Sequence, residues 1–343
     1  VRRCHAMQAS KNAIIFIMPA TLHVVTPGKL PLGSVARAAY GIRRSPIYEV
    51  VIADSFDYLL ESNSAIEHID AYGLLCRAAI DSLTKITDGQ HVRCLSEILL
   101  PCTSCDLVWP VVFDVSRLMT LEHASTVFDK KVKNLLASET LLPCIISALA
   151  KTHQPYPIHV CVTEYPSLDG FLNAPTRPCP LPSGQFFITV RGTIVGKTLA
   201  PLPYLRQDPK TDVDKDHSTI YCTDTPAEIA KKVAKAYCQP ADIETNPLLA
   251  YLEEIVFPYS KLVTGKPIYI NDIVYNNIEE VRKDFHDDKI TPQCLKKVMT
   301  EKLGEIVSRI QEFPKYTEAE ALLKTIHDKE KQEKKSKKDK KQK

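Results

Sequence analysis

Along the first two-thirds of the chain, short β-rich runs alternate with apolar stretches at helical spacing. Ala13–Met18 (AIIFIM), Tyr48–Ala53 (YEVVIA), Ile158–Val162 (IHVCV) and Phe186–Val190 (FFITV) are rich in β-branched and aromatic residues and predict strands. Between them, residues 65–85 and 125–149 carry apolar side chains one helical turn apart, the second stretch interrupted at Pro143. This alternation implies an α/β layer on a mainly parallel sheet. Four Pro within residues 174–184 mark a loop.

After Tyr221 the pattern becomes helical. Thr225–Pro226–Ala227–Glu228 combines an N-cap, a Pro suited to the first helical position and the acid of a capping box. Ile229, Val233 and Ala236 then share one face. A further helix is expected over Asp272–Phe285. Thr291–Pro292 opens another, with a stripe of Leu295, Val298, Met299, Leu303, Ile306 and Ile310 that runs to Pro314. Thr317–Glu320 repeats the capping-box signature and predicts a last helix that dissolves into a Lys-rich tail.

Composition adds bounds. With 44% apolar residues in 343, the chain can bury a large core, and its length suits about two domains at roughly 100–200 residues each. Charged residues at 25% and aromatics at 7% exclude a wholly disordered chain. The 11 Gly are about half the usual frequency of roughly 7%, which argues against folds that need several Gly-lined phosphate loops.

The net charge of +3 is uneven. Residues 329–343 hold nine Lys against Glu330, Glu333 and Asp339, so the tail carries +6 and the rest of the chain −3. Such a tail attracts polyanions. Eleven scattered Cys fit reduced thiols in the cytosol better than a secreted disulfide framework. Ala13–Met18 is too short for a signal-peptide core or a membrane span.

Several motifs fail on inspection. Gly192–Thr198 (GTIVGKT) lacks the four-residue spacing of a phosphate loop, and Pro201 and Pro203 forbid the helix that should follow, so it reads as a strand and turn. Cys102 and Cys105, with Cys94 upstream, lack a second ligand pair at a zinc-like distance and read as buried thiols. The chain contains no HExxH and no GxSxG.

Val25–Ser34 (VTPGKLPLGS) and Val50–Leu60 (VVIADSFDYLL) carry more information. A Pro- and Gly-containing turn, a helix start and a strand ending Ala-Asp resemble the opening of class I aminoacyl-tRNA synthetases, specifically the tyrosyl-tRNA synthetase family. His217–Pro240 is similar to the segment after that family's KMSKS loop, Asn246–Pro258 to the intervening helix, and Ile278–Val298 to the helix pair of its anticodon-binding domain. The resemblance implies a Rossmann-like class I synthetase domain with a mainly parallel sheet over residues 1–222. An all-helical anticodon-binding-type domain follows over 223–328, and a Lys-rich flexible tail over 329–343.

The same resemblance implies that the chemistry is lost. The family uses ATP with Mg, and a HIGH-type histidine and two KMSKS lysines steady the phosphate transition state. The HIGH position reads Pro31–Leu32–Gly33–Ser34, where a ring that cannot donate replaces the imidazole. The KMSKS position reads Lys210, Thr211, Asp212, Val213 and Asp214, with one Lys kept and two carboxylates placed where phosphates would lie. The family's tyrosine pocket aligns with Leu142, Ile146 and Leu149. A later polar motif aligns with Tyr165, Ser167, Asp169, Gly170 and Phe171, and keeps only Asp169. Buried without partners, a phenol and an ammonium would each cost several kcal/mol there. No catalytic residue and no cofactor is therefore expected for this chain.

The helical part keeps more. The family's anticodon-gripping turn aligns with Thr291–Pro292–Gln293–Cys294–Leu295–Lys296, and its aromatic position with Tyr269. Tyr269 could equally stack a base or pack internally, and Cys294 replaces a carboxylate. Lys296, Lys297 and the tail could contact phosphate.

Tyrosyl-tRNA synthetases are dimers in which one tRNA straddles both subunits. Together with Val1 in place of an initiator Met, the resemblance implies the degenerate C-terminal half of a tandem-fused, double-length synthetase. Such a half would pack through its Rossmann-like domain on an active half, dock tRNA(Tyr) in the cytoplasm and make no use of a membrane. The alternatives are a free-standing pseudo-synthetase that binds RNA and a divergent active tyrosine–tRNA ligase.

Overall fold

The computed structural model describes residues 20–25, 30–45, 47–53, 66–84, 92–94, 102–152, 158–163, 165, 167–176, 193–200, 202–206 and 215–341. Five parallel strands form the central sheet: β1 (Ala20–Val25), β2 (Tyr48–Ile52), β3 (Val92–Cys94), β4 (Ile158–Thr163) and β5 (Val195–Thr198). Their spatial order is β3-β2-β1-β4-β5. The expected strands Tyr48–Ala53 and Ile158–Val162 are present. Those at Ala13–Met18 and Phe186–Val190 lie outside the described residues. The central strand β1 was not expected, because His23 and Thr21 interrupt its apolar run.

Helices α1 (Leu32–Arg44) and α2 (Ile66–Thr84) cover one face of the sheet, and α3 (Cys102–Ser116), α4 (Leu121–Phe128) and α5 (Ala137–Thr152) the other. Side-chain alternation separates the layers: Val50 and Ile52 enter the first apolar cluster, Val51 and Ala53 the second. On the first face Gly41 lies against Tyr48. A Cβ built on Gly41 would stand 2.2 Å from the ring, so only glycine lets α1 approach β2 this closely.

The helical interruption expected at Pro143 falls earlier. Asp129, left-handed at φ 50, ends α4, and α5 carries Pro143 inside it.

Beyond a short α6 (Asp169–Leu172) and α7 (Lys215–Ser218), the chain turns helical. Helix α8 (Pro226–Ala234) starts with the expected capping box, Thr225 Oγ1 accepting from the Glu228 amide at 3.3 Å and Glu228 accepting from the Thr225 amide at 2.8 Å. A helical run, α9 (Pro247–Tyr251) and α10 (Phe257–Tyr259) among π turns, leads to a hairpin, β6 (Ile268–Ile270) and β7 (Ile273–Tyr275).

That hairpin replaces the start of the helix expected over Asp272–Phe285. Asn271 and Asp272 both have positive φ (51° and 61°), as a two-residue type I′ turn requires, and α11 begins only at Ile278 and ends at His286.

Helix α12 (Pro292–Gln311) matches expectation, whereas α13 (Pro314–Lys341) starts three residues before Thr317. Thr317 does not cap it; its hydroxyl donates to the carbonyls of Gln311 and Phe313. The Lys-rich segment, expected as a flexible tail, is helical backbone through Lys341. Lys, Glu and Gln are good helix formers, and neither Gly nor Pro interrupts them.

The first apolar cluster does not stop at residue 222. It runs from α1 and α2 through Ile220 and Cys222 into α12, and on to Tyr316, Ala319, Leu323 and Ile326 of α13, which packs along α2. Among the described residues no helix is long and apolar enough to cross a membrane.

Candidate functional site

Pro31 is the N-cap of α1 and makes no side-chain cap. The turn is fastened to the segment before α8: Leu32 N–H donates to Ile220 O at 2.9 Å, and Cys222 N–H to Leu30 O at 3.0 Å. Leu32, Gly33 and Ser34 are buried. A Cβ on Gly33 would meet Leu202 Cδ1 at 2.6 Å, so the chain's own leucine fills the space above this turn. Lys210, Thr211, Asp212, Val213 and Asp214 lie outside the described residues.

Segment 219–224 is anchored from several sides. Lys232 Nζ donates to both Asp224 carboxylate oxygens at 2.7 Å and to Thr219 O at 2.8 Å, and sits 4.8 Å from the Tyr221 ring centroid. Gln311 Nε2 and the Tyr316 hydroxyl both donate to Cys222 O. A cavity of about 320 Å³ opens beside the ion pair, edged by Arg206, Lys231 and Lys235. Sequence reasoning missed this pair, because the capping box alone explained the local pattern.

Leu142, Ile146 and Leu149 share one face of α5 and are all buried. They belong to a cluster with Val112, Val115, Leu168 and Phe171. Tyr165 is half-buried, its ring edge-on to Phe128 at 5.2 Å between centroids. Asp169 is exposed, and its Oδ1 accepts the Gly196 amide at 2.8 Å, which ties α6 to the edge strand β5. These positions surround apolar packing and a sheet-edge cap, with no converging set of donors among the described residues.

On β1 the structure shows a polar pair that the sequence reading passed over. His23 is buried, and its Nδ1 lies 3.0 Å from the Tyr48 hydroxyl. Burial, with a smaller contribution from Arg37, lowers its pKa to about 3, so the ring is neutral.

At the other end, the hairpin presents Tyr269, 54% exposed, beside the N-terminus of α12. Thr291 caps that helix by accepting from the Cys294 amide, and its hydroxyl donates to Cys294 Sγ at 3.1 Å. Hydrogen bonds from Thr291 and from Asn271 at the hairpin turn hold the Cys294 thiol below its usual pKa. Tyr269, Thr291, Pro292 and Cys294 are thus brought together. Lys296 points elsewhere, donating to Ala234 O at the end of α8 at 2.9 Å, while Lys297 is exposed. The string IYINDIVY, alternating residues around Asn-Asp, was the signal for this hairpin.

Among the described residues no group of three or more His, Cys, Asp or Glu is placed to hold a metal.

No protein-family model matches the chain. A tyrosine–tRNA ligase of Thermococcus sibiricus is 31% identical over 121 residues, which cover 34% of this chain and 32% of the relative. The match thus spans about a third of that relative's length. Tyrosyl-tRNA synthetase from Pyrococcus horikoshii, solved with L-tyrosine, superposes with a TM-score of 0.69 at 19% identity over 90% of this chain and 92% of its own. The Leishmania major enzyme, solved with tyrosinol, gives a TM-score of 0.71 at 17% identity, covering 91% of this chain but 49% of that one. The class I α/β fold of these synthetases is thus shared over nine-tenths of the chain, while the sequence likeness to tyrosine–tRNA ligases covers about a third of it.

Proposed function

We propose that the chain is a non-catalytic half of a tyrosine–tRNA ligase. It packs on an active half and presents tRNA(Tyr) from its helical domain, residues 223–328, in the cytoplasm. The observation that carries the reading is the packing of Leu142, Ile146 and Leu149 into an unbroken apolar cluster at the positions aligned with the family's tyrosine pocket. An ammonium or phenol placed there would lose water without gaining partners. The closed Pro31–Ser34 turn supports it, since Leu202 occupies the space over Gly33.

Tyrosine-dependent ATP–pyrophosphate exchange by the chain alone is the decisive assay. Exchange at the background rate is expected, and measurable turnover overturns the reading in favour of a divergent active ligase.

The half-and-half arrangement is supported by the Leishmania chain, of which this chain covers only about half. An exposed apolar set on the α3–α5 layer supplies the docking surface: Phe113, Leu118, Leu121 and Leu136 are each about half exposed. An active synthetase half is the occupant. Phe113→Asp is expected to weaken association with it by about tenfold or more in sedimentation equilibrium, as for a central apolar anchor. Unchanged association would remove this surface from the model.

For RNA, Tyr269 is the stacking platform. Tyr269→Ala is expected to cost about 1–3 kcal/mol of tRNA(Tyr) affinity in filter binding, the usual worth of one stacked base. A change in the first anticodon base should produce a loss of the same order that is not additive with it. If neither change moves the affinity, the anticodon role fails. Lys231, Lys235 and Arg206 around the 320 Å³ cavity, with Lys297, supply charge for backbone phosphates.

A further inference from the structure

A larger cavity, about 770 Å³, lies behind the hairpin that carries Tyr269. Its volume falls within the roughly 300–1,000 Å³ of ordinary small-molecule sites. The local sequence shapes it. Pro258 has no N–H to complete an α-helical ladder, and π turns at Leu252–Val256 and Ser260–Thr264 flank it. Gly265, left-handed at φ 68, then ends the run. π turns of this kind recur at functional sites.

Arg44, Lys261 and Lys266 stand around the cavity, and none of them has an ion-pair partner among the described residues. The carboxylate in the wall, Glu253, is already held by Arg282 at 2.7 Å. Three uncompensated cations therefore face the space. Phe257, half-buried, adds an aromatic surface, and Asn276 adds a side-chain amide with no partner among the described residues. The hydroxyl of Tyr275 is committed to Asp284 at 3.0 Å, so that residue contributes wall.

Cationic groups beside an aromatic face and a free amide match the three parts of a nucleotide: phosphate, base plane and base edge. We propose that this cavity binds one nucleotide of an RNA chain. Arg44, Lys261 and Lys266 take the phosphate, and the base lies against Phe257 with its edge toward Asn276. The proposal rests on the functional reading above only for the identity of the RNA, because the cavity's chemistry is independent of Tyr269.

The test is lysine-acetylation footprinting of the full chain with three probes: a random-sequence RNA octamer, a mixture of 5′-mononucleotides, and inorganic phosphate. The octamer is expected to protect Lys261 and Lys266, and inorganic phosphate at the same concentration is not. Protection by mononucleotides as well would mean that the cavity takes a free nucleotide; protection by the octamer alone would mean that it takes one held in a chain. Both support the site.

The variant K261A/K266A should weaken octamer binding severalfold and lower the slope of log affinity against log salt by about 1.4, at roughly 0.7 per single-strand phosphate contact. Protection by phosphate equal to that by RNA, or no protection at all, overturns the proposal, as does an unchanged salt slope. Y269A separates the two readings. If tRNA(Tyr) does not bind but the octamer footprint persists, the tRNA reading falls and the cavity stands. If tRNA binds through Tyr269 while Lys261 and Lys266 stay reactive, the cavity assignment falls alone.

Discussion

Acidification from pH 6.5 to 4 is expected to remove about 3 kcal/mol of stability through His23 alone, at about 1.4 kcal/mol per pH unit. The folded pKa of about 3 lies below the ordinary 6.5 because the ring is buried in β1, with Arg37 adding a smaller push. The unfolded chain therefore takes up a proton near pH 6.5 that the folded chain refuses until about pH 3. Stability is complete above 6.5 and falls as pH drops through that window.

The contact with Tyr48 itself survives protonation, because a charged imidazole carries a hydrogen on Nδ1 that the hydroxyl oxygen can accept, so the pH effect rests on burial of the charge. Urea unfolding at pH 7 and pH 4 checks the expectation. His23→Gln keeps an acceptor but cannot titrate, so its loss over the same interval should be smaller by about 3 kcal/mol. Equal pH dependence in both proteins would show that His23 is not the responsible group.

Lys232→Met is expected to destabilise the chain by about 3–5 kcal/mol, the cost of leaving a buried carboxylate without its cation. Both side chains of the pair are about nine-tenths buried, with exposures of 10% and 9%. Asp224 also accepts the Tyr221 amide at 2.8 Å, so it cannot swing out to water without releasing the turn. Neutralising both members should restore much of the loss: in Lys232→Met/Asp224→Asn the amide oxygen still serves Tyr221 while the unpaired charge is gone. Chemical denaturation of the two variants reads the difference. A double variant as unstable as the single would mean that lysine packing against Tyr221, rather than charge pairing, holds the segment.

The consequence of losing Lys232 reaches beyond α8. Segment 219–224 is bonded to Leu30 and Leu32 on one side and to Gln311 and Tyr316 on the other. It joins the start of α1 to the last two helices. The Rossmann-like layer and the C-terminal helices are held in register through this joint.

Periodicity made the helices legible. Helix α2 and helix α12 appear where apolar spacing put them, and Thr225 and Thr291 cap where their hydroxyls and the following Pro predicted. Strands were less legible. Strand β1 contains a histidine that is tolerable only because Tyr48 waits for it across the sheet, and no local pattern reports a partner 25 residues away. The hairpin under Tyr269 was visible in IYINDIVY but lost to a helical reading of the residues that follow. Helix α13 extends through a segment whose charge suggested a loose tail, because Lys and Glu favour helix in the absence of breakers.

By itself the sequence determined which side chains stand at the positions that the resemblance aligns with the signatures, among them a proline ring, two leucines and an isoleucine beside Ser34, Lys210 and Asp169, and which groups each can offer. Residue identity alone decides that chemistry. Only the tertiary structure decided what became of the space. Leu202 closes over Gly33, Asp169 caps the edge of β5, Lys296 turns to α8, and three cations without an ion-pair partner among the described residues gather around a cavity behind the hairpin. Those outcomes depend on contacts between residues far apart in the chain, where packing and charge compensation are set by the whole fold and local propensity has no say.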